Sequence, residues 1–187
     1  EAMNPEKRKA IFARLRAAVL AGGVALVPTD TVYGLAAALD VPDGVAALYA
    51  LKGRPRTEPC QVILYASALV DAALAPLDAR TASAAWALLP GPATCLVADP
   101  THRFAAASGG QPGSVGLRVP RMDACFDDLD VPLVATSAND PGGVDPATIG
   151  DVTDRIRTAV AFAADAGRLP GTASAVVDLR QVAEGGP

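Results

Sequence analysis

Short apolar runs alternate with amphipathic stretches along most of the sequence. Ile11, Leu15 and Val19 recur at helical spacing, and the glycine pair at 22–23 is a typical end for this first predicted helix. The apolar run 24–27 stops at Pro28, as expected for a buried strand that leads into a loop. The same criteria predict further strands at 61–65, 93–98, 115–119, 133–136, 160–163 and 175–179, and further helices at 43–51, 66–74, 78–88, 122–129 and 151–158.

The alternation of strands and helices predicts an α/β fold. Some strands follow one another with only a loop between them, so we expect a twisted, mixed parallel and antiparallel sheet with flanking helices. The 187 residues contain no repeat, low-complexity tract or linker that would divide them, which favours a single domain over 1–187. Polar residues cluster at 29–33, 52–57 and 137–143, in loops of the kind where open α/β sheets bind ligands.

Composition narrows the possible functions. The net charge of −4 argues against a general polyanion binder, because nonspecific affinity for nucleic acid comes from a basic surface, so any phosphate site must be local. His102 is the single histidine, which excludes two-histidine metal motifs and leaves one possible base for a serine or cysteine nucleophile. Neither a Walker GxxxxGK[ST] run nor a GxGxxG fingerprint occurs.

The cysteines and the apolar runs bear on where the protein works. Cys60, Cys95 and Cys125 are far apart, odd in number and in no CxxC arrangement, which favours reduced thiols over a disulfide or zinc framework. No uninterrupted apolar run reaches the ~18 residues that a membrane span needs. We therefore expect a cytoplasmic protein with no membrane partner.

The segment PTDTVYGL at 28–35 places two hydroxyls, a carboxylate and a phenol directly behind a predicted strand. One interpretation is a ligand site that includes Thr29 and Thr31. The other is a turn, in which Asp30 and the threonines bond to nearby backbone amides.

Lys52, Arg54 and Arg56 follow the predicted helix 43–51. Cations at a helix C-terminus commonly complement the helix dipole. Lys52 is, however, the only lysine after residue 9 in a chain that otherwise uses arginine, which favours a role for a compact ammonium, such as a phosphate contact. We expect Lys52 to be exposed in the empty protein.

Three further segments carry candidate chemistry. Arg118 lies inside an apolar run, where its charge needs either an internal ion pair or an anionic ligand, and the sequence leaves both open. The segment SANDPGG at 137–143 offers short polar side chains in a glycine turn, and alone it could be an ordinary strand exit. Ser174, before the apolar run 175–179, is a weak candidate by spacing alone.

Taken together, six segments in order resemble the signatures of the YrdC-like threonylcarbamoyl-AMP synthases: PTDTVYGL at 28–35, KGRP at 52–55, LPGPAT at 89–94, VGLRVP at 115–120, TSAN at 136–139 and SAVVDL at 174–179. The resemblance runs from about residue 10 to residue 180. It implies an enzyme that joins L-threonine, bicarbonate and ATP into threonylcarbamoyl-adenylate with release of pyrophosphate, for the threonylcarbamoyladenosine modification of tRNA. It also implies a YrdC-like fold, in which the mixed sheet surrounds a basic cavity.

The resemblance assigns roles by motif position. It implies that L-threonine is bound by Thr29, Thr31, Arg118 and Ser174. It implies that ATP is bound by Lys52, Arg54, Arg56, Ser114, Ser137 and Asn139, with Lys52 and Arg54 also acting in catalysis. ATP is then a substrate, Mg²⁺ is carried on its phosphates, and no metal site of the protein is expected. Weak tRNA contact and downstream threonylcarbamoyl-transfer proteins are the implied further partners.

The chain departs from the family pattern at several positions. Pro141 and Gly142 stand where relatives have Ser-Gly, and Asp145 occupies a later serine position, close to the expected nucleotide phosphates. These departures motivate an alternative, a YrdC-like RNA-binding or nucleotide-binding module without synthase activity. A third hypothesis is a carbamoyl-transfer paralogue with another acceptor.

Overall fold

The computed structural model describes residues 5–122 and 128–182. Five helices are present in this part of the chain: α1 (Pro5–Leu20), α2 (Pro42–Lys52), α3 (Ser67–Leu74), α4 (Ala79–Leu88) and α5 (Asp154–Ala159). Eight strands accompany them: β1 (Ala25–Val27), β2 (Gly34–Ala38), β3 (Gln61–Ile63), β4 (Ala93–Ala98), β5 (Ser114–Arg118), β6 (Leu133–Ser137), β7 (Phe162–Ala163) and β8 (Ala175–Asp178). Short 3₁₀ turns lie at Ala105–Ala107 and Ile149–Asp151.

Local sequence explains where the helices of the middle region begin and end. Helix α2 starts with Pro42, which is pre-organised for the first helical turn, and ends at Gly53, whose φ of 65° is left-handed. Helix α4 is capped by Asp78, whose side chain accepts hydrogen bonds from the backbone N–H groups of Arg80 and Thr81. These ends place Lys52 in the last turn of α2.

The eight strands form one mixed sheet in the order β7-β1-β2-β6-β3-β5-β4-β8. Three pairs are parallel, namely β1 with β7, β3 with β5 and β4 with β8, and the other four are antiparallel. The predicted α/β fold with a mixed sheet is therefore confirmed.

The two faces of the sheet are covered differently. One face packs against α2, α3 and α4 through a core that includes Leu35, Leu48, Val62, Val70 and Leu117. On the other face, α1 covers the β7-β1-β2 side, where Phe12, Leu15 and Val19 share a second core with Ala25 and Ala36. The remaining β6-β3-β5-β4-β8 part of that second face carries a cavity, described below.

The predicted elements correspond closely to the observed ones, apart from one strand. Strand β2 has the sequence GLAAA and is not predicted, because alanine and glycine have low strand propensity. All five of its residues are buried between β1 and β6, so tertiary burial outweighs local preference. Most of the helix predicted at 122–129 lies outside the described residues, as does Cys125.

Two further expectations concern cysteines and membranes. Cys60 and Cys95 are buried free thiols, as predicted. Among the described residues, no helix combines the length and the apolar character that crossing a membrane requires.

Candidate functional site

A cavity of about 310 Å³ opens on the sheet face over β6, β3, β5, β4 and β8. Its wall includes six of the residues to which the sequence assigned a role: Thr29, Thr31, Arg54, Arg118, Ser137 and Ser174. It also includes polar residues with no predicted role: Cys60, Gln61, Thr94, Thr136 and Asp145. Residues from six separate regions of the chain therefore meet at one site.

The loop after β1 forms a turn that borders this cavity. Thr29 Oγ1 donates to the carbonyl of Val32 at 2.7 Å and accepts the backbone N–H groups of Thr31 and Val32, both at 3.1 Å. The hydroxyls of Thr29 and Thr31 lie 2.9 Å apart, and both residues are buried. The turn and the ligand-site interpretations thus describe the same residues, since Thr29 shapes the turn that brings Thr31 to the cavity.

Arg118 ends β5 with a guanidinium that is 1% exposed. It donates to a carboxylate oxygen of Asp30 and to the carbonyl of Gly91, and it contacts Thr31 Oγ1 at 3.3 Å. The second Asp30 oxygen accepts the backbone N–H of Arg121 at 3.1 Å. The internal ion pair that the sequence left open is therefore present, and the same guanidinium also reaches the cavity wall.

Lys52 does not have the expected exposure, because it is buried at 4%. Its Nζ donates to the carbonyl oxygens of Ser137, at 2.8 Å, and of Asn139, at 2.7 Å, and also to Asn139 Oδ1. Burial, together with the neighbouring charge of Arg54, lowers the pKa of Lys52 to about 8. The physical reason for the difference is tertiary: the loop after β6 folds over the end of α2 and supplies all three acceptors.

Asn139 connects the same loop to Asp145. Its Oδ1 accepts from Ser137 Oγ at 2.7 Å, and its Nδ2 donates to the carbonyl of Gly143 at 2.7 Å and to Asp145 at 3.2 Å. Ser137 and Asp145 line the cavity, whereas Lys52 and Asn139 lie behind them. The loop therefore presents one hydroxyl and one carboxylate to the site.

The arginines after α2 have different surroundings. Arg54 lines the cavity, donates to the carbonyl of Pro59 at 3.0 Å and pairs with Glu58 at 3.3 Å. Its side chain remains 28% exposed, so it can still meet a ligand. Arg56 instead lies over the ring of Tyr49, at 4.5 Å from the ring centroid, and outside the cavity wall.

Ser114 begins β5, at the end of the strand opposite Arg118. Side chains two residues apart share a face of a strand, so Ser114 lies on the face that carries Gly116 and Arg118. It is outside the cavity wall in this structure.

Sequence reasoning missed a hydrogen-bonded row on the cavity floor. Thr94 Oγ1 donates to Gln61 Oε1 at 3.0 Å and lies 2.9 Å from Ser174 Oγ. A signal was available, since Thr94 closes the LPGPAT segment and Gln61 begins a predicted strand. The pairing across 33 residues of chain is nevertheless invisible without the strand order.

Among the described residues, the charged groups of the cavity wall are Arg54, Arg118 and Asp145, and Arg118 is already paired with Asp30. Within residues 5–122 and 128–182, no group of three or more histidine, cysteine, aspartate or glutamate side chains could hold a metal ion. The wall therefore offers guanidinium groups, hydroxyls and an amide, which suit a ligand with anionic oxygens, and one carboxylate, Asp145, which suits a hydrogen-bond donor or a cation.

The fold and the site define an α/β protein with a cavity on the open face of a mixed sheet, whose wall includes two arginines. The chain belongs to the Sua5, YciO and YrdC family, whose model, described as "Telomere recombination", matches residues 17–185. The predicted family is thereby confirmed.

Individual relatives agree with this assignment. The chain is 33% identical over 156 residues to the threonylcarbamoyl-AMP synthase of Marinobacter nauticus, an alignment that covers 78% of this chain and 82% of the relative. It is 37% identical over 121 residues to the threonylcarbamoyl-AMP synthase of Halorhodospira halophila, covering 63% of each chain. Among solved structures, Sua5 of P. abyssi complexed with L-threonine matches with a TM-score of 0.79 at 23% identity, covering 95% of this chain and 52% of that one. That likeness shows the shared fold.

Proposed function

We propose that this protein is a threonylcarbamoyl-AMP synthase, which forms threonylcarbamoyl-adenylate from L-threonine, bicarbonate and ATP. The observation that carries the proposal is the convergence of Thr31, Arg54, Arg118, Ser137 and Ser174 on one cavity in a chain of this family. Relatives that share a third of its sequence bear the name of this activity.

The Arg118 end of the cavity is the proposed binding site for L-threonine. A guanidinium matches both oxygens of a carboxylate, and the ion pair with Asp30 holds that guanidinium in position. Thr31 and Ser174 would supply hydroxyls on either side of Arg118, and Thr29 would support the turn that carries Thr31.

The Arg54 end is the proposed site for the ATP phosphates. Arg54 offers a partly exposed guanidinium and Ser137 a hydroxyl. Lys52 would act there through its charge and by holding the backbone of Ser137 and Asn139, since its N–H donors are already engaged with that loop. Ser114 and Arg56 would meet more distant parts of the nucleotide.

The proposed chemistry needs positioning and charge neutralisation. The threonine amine combines with bicarbonate and loses water to give a carbamate, whose oxygen attacks the α-phosphorus of ATP, and pyrophosphate leaves. Mg²⁺ enters as part of the MgATP substrate. Aligning two reactants and neutralising phosphate charge can supply most of such a rate enhancement without an acid–base pair, which suits a cavity whose described wall contains no histidine.

Pyrophosphate release tests the proposal. Purified protein with MgATP is expected to release pyrophosphate only when L-threonine and bicarbonate are both present, and Arg54→Ala should remove this release because the phosphates lose their guanidinium. Arg80→Ala, at an exposed position of α4, is the matched control and should behave as wild type. Equal ATP turnover without threonine would contradict the synthase assignment.

The same assay separates the other two hypotheses. Asp145 puts a carboxylate in the cavity wall, where it would repel the phosphates of ATP. A protein that binds nucleotide but releases no pyrophosphate would be a binding module without synthase activity. Pyrophosphate release that requires a different amine would identify a carbamoyl-transfer paralogue.

The proposed activity also defines where the protein acts and with what. Its adenylate product is a reactive mixed anhydride, so a threonylcarbamoyl-transfer protein that acts on tRNA would have to consume it. We therefore propose that the protein acts in the cytoplasm, beside such a transfer protein, and that its own contact with tRNA is weak.

A further inference from the structure

The hydrogen-bonded row of Ser174, Thr94 and Gln61 has a defined proton order. Thr94 has one hydroxyl proton and gives it to Gln61 Oε1 at 3.0 Å. The contact of 2.9 Å between Thr94 and Ser174 must then be donated by Ser174. Thr94 Oγ1 thus accepts from the Ser174 hydroxyl, and Gln61 Oε1 accepts from the Thr94 hydroxyl.

The Gln61 amide is oriented with Oε1 toward Thr94. Because Oε1 accepts from Thr94, the amide nitrogen Nε2 is on the other side of the group, and Gln61 lines the cavity. Among the residues that the structure describes, no acceptor pairs with Nε2. Gln61 therefore offers its amide N–H groups to a ligand.

Gly116 makes the row possible. Gln61 pairs with Gly116 on one side of β5, and Thr94 pairs with Arg118 on the other, so the bond from Thr94 to Gln61 crosses β5 diagonally above Gly116. A Cβ at residue 116 would lie 3.1 Å from Thr94 Cγ2 and 3.9 Å from Gln61 Cβ. Glycine leaves this path open.

Gln61 also lies between the two charged ends of the cavity. Arg118 pairs with Ile63, which lies two residues beyond Gln61 on β3. Two residues correspond to about 7 Å along a strand. On the other side, Arg54 bonds to the carbonyl of Pro59. Along β3, Gln61 thus lies between the level of Arg118 and the bond of Arg54, and all three residues line the cavity.

We propose that the Gln61 amide donates to an oxygen of bicarbonate and of the carbamate made from it, and that Thr94 positions this amide. The inference rests on the proposed function, since in that reaction the carbonate-derived carbon lies between the threonine amine and the α-phosphorus. Amide N–H donors match the acceptor oxygens of this group without adding a competing charge. Ser174 supports Thr94 from the other side.

The first test is the Michaelis constant for bicarbonate, measured in buffer depleted of carbon dioxide. Gln61→Leu should raise it about tenfold, as expected for one lost hydrogen bond, while the constants for threonine and ATP stay within about twofold. Gln61→Glu should raise it further, because a carboxylate repels the anion. Gln111→Glu, at an exposed loop position, carries the same charge change and should leave all three constants unchanged.

The positioning role of Thr94 has its own test. Thr94→Val should raise the bicarbonate constant as Gln61→Leu does, and Thr94→Ser, which keeps the hydroxyl, should restore it. The double variant Gln61→Leu with Thr94→Val should be no worse for bicarbonate than Gln61→Leu alone, because Thr94 acts through Gln61. Additive effects, or a rise confined to the threonine or ATP constants, would overturn the proposal.

A second measurement does not depend on turnover. The ¹³C resonance of labelled bicarbonate should broaden in the presence of wild-type protein and threonine, and this broadening should be lost in Gln61→Leu. If no pyrophosphate is released but the broadening depends on Gln61, the synthase assignment fails and the anion site stands. Equal broadening by both proteins, or none by wild type, refutes the site itself.

Discussion

Arg118 combines a structural and a ligand-facing position in one side chain. Its charge is buried at 1% exposure, and Asp30 and the carbonyl of Gly91 hold it from within the protein. A buried guanidinium without its carboxylate would carry a large desolvation cost, so the pair must be kept together. The ion pair therefore pre-organises the group that is proposed to receive the threonine carboxylate.

Two substitutions separate these contributions of Arg118. Arg118→Met should lower the free energy of unfolding by about 3–5 kcal/mol, because it leaves the Asp30 carboxylate without its partner. Arg118→Lys keeps the charge, so it should stay folded, but it should weaken threonine binding by about 1.5–3 kcal/mol, because an ammonium cannot reproduce the guanidinium fork. Urea unfolding and the threonine Michaelis constant measure the two effects.

Asp30→Asn combined with Arg118→Met is the control for the ion pair, and it should recover part of the lost stability. An Arg118→Lys protein with an unaltered threonine constant would assign Arg118 to the scaffold alone.

At the scale of elements, the end of α2 and the loop after β6 form one unit. Lys52 connects them through hydrogen bonds to Ser137 and Asn139, and Arg155 bonds both Asp140 in that loop and the carbonyl of Leu51 in α2. The loop that presents Ser137 and Asp145 to the cavity is thus held by side chains from two helices.

The lowered pKa of Lys52 predicts how stability changes with pH. Burial moves this pKa from 10.5 to about 8, so between these pH values the unfolded chain binds a proton that the folded chain lacks. The contribution of Lys52 to the free energy of unfolding must then rise with pH across this window, by at most about 1.4 kcal/mol per pH unit.

Urea unfolding of wild type and Lys52→Met from about pH 7.5 to 9.5 measures this slope, because proton binding and folding are thermodynamically linked. The variant should be less stable, because the loop loses its hydrogen bonds, and the difference between the two proteins should widen as pH rises. Parallel pH profiles would show that Lys52 keeps its proton throughout.

For the whole molecule, charge pairing limits attraction to nucleic acid. The net charge is −4, and several exposed arginines are paired with aspartates on the surface, namely Arg16, Arg103, Arg155, Arg157 and Arg180. Each pair reduces the local positive potential that a polyanion would meet.

This charge distribution predicts weak binding to tRNA. We expect a dissociation constant above ~1 µM at physiological salt, in the range of nonspecific complexes, because few phosphates would be neutralised. Titration with fluorescently labelled tRNA at several salt concentrations measures both affinity and salt dependence. Submicromolar affinity with a steep salt dependence would instead support the RNA-binding alternative.

Local sequence determined most of the elements and the segments that carry the candidate site. The periodic apolar positions of α1 and the capping residues of α2 and α4 act within a few residues, so they can be read directly from the chain. The segments around Thr31, Arg54, Arg118, Ser137 and Ser174 can likewise be found in the sequence, and the structure brings these five residues to one cavity.

Tertiary structure alone decided how those residues are paired. Strand β2 forms because both its neighbours bury it, Lys52 is buried because a loop 85 residues away folds over it, and Gln61 meets Thr94 because β5 lies between their strands. Such pairings depend on strand order and on which face is covered. Local propensity carries no information about either, since contacts between distant residues form only when the sheet assembles.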